Sequence, residues 1–148
     1  MTYHASAVVP EDVLHVWNDA WGWLAPAVAQ SSGRISVDDL RRGLYRGEYQ
    51  LWVAFKDDAI DGAIITTITE YPNKRILTWL FIGGDHIEDW CDSMHKLVER
   101  FSRDMGCEGA EIVGRKGWVR FMKKYGWNEE YITVDKMFDN EEEQRLVA

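Results

Sequence analysis

Few residues of this chain are placed to do chemistry. The four histidines share no metal-ligand spacing. Cys91 and Cys107 fit neither a metal site nor a CxxC redox pair. No Ser/His/Asp or Cys/His set has the context that a covalent nucleophile needs. Three groups remain. Asp85, Glu88 and Asp89 crowd the point where an apolar strand gives way to a helix, with His86 among them as a surface histidine. A carboxylate there gains about 0.3–1 kcal/mol from the helix dipole. Arg115, Lys116, Arg120, Lys123 and Lys124 form a basic cluster in an otherwise acidic protein. Its plain reading is a solvated helix face, and its sharper one a dock for an acidic partner. Trp17, Trp21 and Trp23 are the third group. Trp17 and Trp21 share a helical face and read as core, whereas Trp23 projects elsewhere and can form a contact surface.

These groups must be positioned by one small fold. The chain has 148 residues, 46% of them hydrophobic and 28% charged, the proportions of a globular domain with a sizeable core. A single domain over residues 1–138 is expected, with residues 139–148 an acidic tail. The formal net charge of -8 argues against nucleic-acid or membrane binding. No stretch approaches the ~18 consecutive apolar residues of a membrane span. The start, Met1-Thr2-Tyr3-His4, lacks the basic and apolar regions of a signal peptide, so a cytosolic setting, or a particle assembled in one, is expected.

Residues 2–9 predict a first strand. Pro10 with Glu11 and Asp12 opens a helix carrying Val13, Leu14, Trp17, Trp21 and Leu24, with Pro26 close to its end. Ser36 with Asp39 caps a second, short helix that stops near Gly47. Strands follow over residues 49–56, 60–71 and 75–82 (RILTWLFI), joined by short turns as an antiparallel meander. From Ile87 to Met105 apolar residues keep the i, i+3, i+4, i+7 rhythm. Asp85 and Glu88 predict a capping box at that helix's start and Gly106 its end, and Cys91 falls on its apolar stripe as a buried, reduced thiol. A short strand over 110–113, a helix over 117–125 and a last strand over 131–138 complete the pattern. The helix between the fourth and fifth strands lets those two pair in parallel.

The order β-α-α-β-β-β-α-β-α-β, an α/β (α+β) class with a mixed, curved central sheet, resembles the GNAT (Gcn5-related N-acetyltransferase) family over essentially the whole chain. Locally, Phe121-Met122-Lys123-Lys124-Tyr125-Gly126-Trp127 is similar to the stretch that closes many GNAT domains. The run Gly114-Arg115-Lys116-Gly117-Trp118-Val119-Arg120 is similar to one in small GNAT-like proteins of tailed phages and prophages.

The resemblance implies acetyl-CoA bound where the fourth strand meets the third helix, its pyrophosphate on the backbone N–H groups of a glycine-containing loop. Phe81, Ile82, Gly83 and Gly84 stand there, without the family's Gln/Arg and glycine spacing. Asp85, Glu88 and Asp89 would repel a pyrophosphate, and an Asp cap would use the donors it needs. Arg115 falls on the family's pantetheine-contacting Asn. Met122 falls on its proton-donating Tyr and has no proton to give, leaving Tyr125, three residues on, as a substitute only after a one-turn shift. Glu111, on the fifth strand, is the one candidate general base, and otherwise an edge or solvent-facing side chain. The basic cluster could hold the CoA 3′-phosphate. A V-shaped gap between the fourth and fifth strands would seat the cofactor; Trp90 or Arg115 lying in it would exclude one.

Two readings result. In the first, the chain has kept the fold without acetyl transfer, needs no cofactor, and binds a protein partner or itself, for instance among phage structural proteins in a virion, through Trp23, Lys116, Arg120, Lys123 and Lys124. In the second, it is an acetyl-CoA-dependent N-acyltransferase with a divergent pyrophosphate loop.

Overall fold

The computed structural model describes residues 2–113 and 120–138. The chain divides into two compact units, residues 1–114 and 115–148. The first holds five strands and three helices: β1 (His4–Val8), α1 (Val13–Ala29), α2 (Val37–Arg46), β2 (Tyr49–Lys56), β3 (Ala59–Glu70), β4 (Arg75–Gly84), α3 (Ile87–Asp104) and β5 (Gly109–Ile112). The strands form one sheet in chain order. β1 to β4 pair antiparallel, as their short turns require, and β5 joins β4 in parallel after the α3 crossover.

Side-chain alternation assigns the two faces of the sheet. Leu51, Val53, Ala63, Ile65 and Phe81 face one side and bury Val13, Trp17, Ala20, Leu24 and Val28 of α1 with Leu40 and Leu44 of α2. Trp52, Ile64, Leu77 and Trp79 face the other side, with buried Trp90, Cys91, Met94 and Val98 of α3. Trp52 meets Phe101 edge-on at 5.3 Å between ring centres. Its indole N–H donates to Thr66, whose hydroxyl donates to Gln50, so the buried polar atoms of Trp52 and Thr66 are satisfied.

The expected cap of α2 is present: Asp39 N–H donates to the Ser36 hydroxyl, and Ser36 N–H to the Asp39 carboxylate. Those bonds, led by the Ser36 backbone N–H, and the nearby Arg42 hold the Asp39 carboxyl below its ordinary pKa. The expected end of α1 needs correcting. α1 does not stop before Pro26 but runs through it to Ala29. Pro26 removes the bond that its N–H would make to the Gly22 carbonyl. Burial of Leu24 and Val28 on either side of Pro26 outweighs that loss.

In the second unit, residues 120–122 are helical and a 3₁₀ turn spans Lys123–Tyr125, ended by Gly126 in the left-handed region at φ 87°. The strand expected over 131–138 is not formed, and Tyr131, Ile132, Val134, Met137 and Phe138 are exposed. Strand propensity alone does not form a strand, which needs a neighbouring strand to take up the backbone groups. Gly117 and the expected tail lie outside the described residues.

Candidate functional site

β4 carries the site because its two edges differ. Along one it pairs with β3 from Arg75 to Gly84; along the other it pairs with β5 only from Ile76 to Trp79. The Val113 N–H donates to the Trp79 carbonyl, and no described strand follows on that side. Leu80 is the extra residue of a bulge, since Ile65 pairs with Phe81 but Thr66 with Trp79. The bulge redirects β4 just where it parts from β5. Residues 80–84 therefore have β3 on one side and, among the described residues, no strand on the other.

Thr78 is the last residue before that bend to face the α1/α2 side, and it is buried. Its strand partners Thr67 and Glu111 face the same way. Glu111 accepts from the Thr78 hydroxyl at 2.8 Å and from the Tyr71 hydroxyl at 2.7 Å, both on Oε1. Since Thr78 gives its one hydrogen to Glu111, the 2.6 Å contact between Thr69 and Thr78 is a donation from Thr69. Thr67 donates to the Glu48 carbonyl. The Oε2 atom of Glu111 has no donor, and the carboxylate no Lys or Arg partner, among the described residues. Glu111 is thus a half-buried acid held by one oxygen.

The far end of β4 is differently built. Gly83 and Gly84 are strand residues paired with Ala63 and Gly62, not an open phosphate loop. A Cβ on Gly83 would lie 1.9 Å from the Trp23 carbonyl of α1, and one on Gly84, at φ 154°, 2.7 Å from the Asp61 carbonyl. Close approach of neighbouring backbones accounts for both glycines. Phe81 is buried in the α1 layer and Ile82 is half-buried on the opposite face, so neither presents a side chain to a loop.

The predicted capping box is absent from the start of α3. His86 is the N-cap, in the left-handed region at φ 54°, and no side chain caps the helix. The Asp85 carboxylate accepts instead from His86 N–H, while the Asp85 carbonyl takes the Trp90 indole N–H. A short loop pinned at both ends favours these local bonds over capping. The helix donors are therefore not consumed by the acids, contrary to expectation, but the charge remains. The His86 ring nitrogen Nδ1 lies 4.0 Å from Asp61 and 3.8 Å from Asp85. Tyr3 donates to Asp61, and its pKa is pushed up to about 12, first by that bond, then by burial and by the charges of Asp61, Asp89 and Asp85. Trp90 lies over Gly62 and Gly84 on the α3 side and does not occupy the β5 side of β4.

The other expected site residues are scattered. Trp23 is half-buried against the α1 core and donates its indole N–H to the Ile60 carbonyl at 2.7 Å, so it pins α1 to β3. Tyr125 sits in the 3₁₀ turn with the Lys124 ammonium 5.1 Å above its ring, and Met122 is buried. Arg120, Lys123 and Lys124 are exposed. Arg115 and Lys116 lie outside the described residues. Sequence reasoning missed Thr69, Tyr71 and Thr78; the one signal was Thr78 itself, the single polar side chain within the apolar ILTWLFI run.

Solved structures share this fold. An aminoglycoside acetyltransferase from an uncultured soil metagenomic sample, in complex with sisomicin, matches with a TM-score of 0.69 at 14% identity, over 93% of this chain and 97% of that one. A GCN5-related N-acetyltransferase from Ralstonia eutropha JMP134 matches with 0.68 at 16% identity, over 91% and 98%. Glucosamine-6-phosphate N-acetyltransferase from Arabidopsis thaliana matches with 0.64 at 13% identity, over 94% and 100%. The chain has a GNAT-like fold; at these identities the likeness carries the fold alone. No protein-family model and no curated protein matches the sequence.

Proposed function

We propose that this chain is an acyl-CoA-dependent N-acyltransferase. One observation carries the reading: beside the point where β4 and β5 part, Glu111 is anchored through Oε1 with Oε2 left to take a proton. An acyl-CoA, when bound, supplies a thioester carbonyl to an attacking amine. The edge of β4 past Trp79, unpaired among the described residues, suits the two amides of its pantetheine arm, which can hydrogen-bond to it as an added strand does. Glu111 accepts the proton that the amine sheds on acylation, at a place reached from the α1/α2 face. The Thr78 and Tyr71 hydroxyls keep its carboxylate oriented.

The pyrophosphate end fits less well. Asp61, Asp85, Glu88 and Asp89 surround the start of α3, and each opposes an incoming anion. That observation favours a second reading, a GNAT-like protein that has given up acyl transfer for a binding role. A thermal shift with acetyl-CoA separates the two. Ligand at 100 times its dissociation constant adds about 2.7 kcal/mol. For a domain of this size, that raises the melting temperature by ~5–10 °C. Absence of any shift at millimolar acetyl-CoA would rule out the enzyme.

A further inference from the structure

We draw no further inference here: the strongest candidate, the surface patch made by Tyr131, Ile132, Val134, Met137 and Phe138 in the segment after the 3₁₀ turn, is exposed and apolar, and nothing in the structure shows what covers it.

Discussion

Replacing Asp85 and Asp89 by asparagine should tighten acetyl-CoA binding. Both acids flank the N-terminus of α3, whose donors no side chain caps. The asparagine in place of Asp85 would keep an oxygen for the His86 N–H and leave the backbone bonds to Asp61 and Trp90 intact, so the loop geometry should survive. With a pyrophosphate bearing two charges about 7 Å from each acid, Coulomb repulsion in water is roughly 1.2 kcal/mol per acid. Screening at physiological ionic strength reduces this to about 0.5 kcal/mol. Two acids together then oppose binding by ~1 kcal/mol, roughly a fivefold change in dissociation constant, growing to roughly twentyfold near 10 mM salt. Against this, the helix loses its own acid–dipole attraction, about 0.3–1 kcal/mol per residue, so the unliganded double variant should melt a few degrees lower. The opposite signs make the result diagnostic. Calorimetric titration at two salt concentrations reads the affinity, and a melt without ligand reads the helix. If the double variant melts lower as expected yet binds acetyl-CoA no more tightly at low salt, the pyrophosphate does not sit at the start of α3.

Two further outcomes follow from the same geometry. Gly83→Ala should destabilise the chain by roughly 2–3 kcal/mol, because the added carbon meets the backbone carbonyl of Trp23, which cannot rotate away; a stability within about 0.5 kcal/mol of wild type by denaturant titration would contradict the packing account of this glycine. Tyr3 keeps its proton in the folded state up to about 12, whereas the unfolded chain releases it near 10. Between those values the folded state binds more protons, so this contribution is complete below pH 10 and lost as the pH climbs through about 12. Comparing wild type with Tyr3→Phe from about pH 9 to about pH 11.5, the variant's stability should fall less steeply; parallel curves would show that the Tyr3–Asp61 bond is not formed.

Which parts were readable beforehand depends on the range of the interactions involved. The Ser36 capping box, the apolar stripe of α3 and the parallel pairing of β4 with β5 are set by residues near in sequence or by connection length, and all three appear as expected. At the start of α3 the same local rule misled. A spacing of Asp85 with Glu88 suggests a box, but the loop's backbone is held by Asp61 from β3 and by Trp90, and that tertiary hold puts His86 at the N-cap. Pro26 shows the converse, a local breaker overridden by burial on either side of it. Residues 131–138 have strand composition and no strand, because a strand is a property of two chain segments.

The site itself was legible only as separate letters. Glu111 could be named as a candidate base, but whether it was an idle edge acid turned on residues 33 and 40 positions away, Thr78 and Tyr71, and on the order in which their hydroxyls donate. Spacing cannot show which oxygen of a carboxylate is held, and that detail separates an acid buried in its own network from one with a lone pair to offer. The glycines run the other way. Gly83 and Gly84 looked like a remnant of a phosphate loop, yet the Trp23 and Asp61 carbonyls require them whether or not a phosphate ever binds. The chemical case for this fold as an enzyme therefore passes from the glycine pair, where the family resemblance placed it, to the polar strip at the parting of β4 and β5. A substitution series along Thr69, Tyr71, Thr78 and Glu111 decides more than any change at the loop.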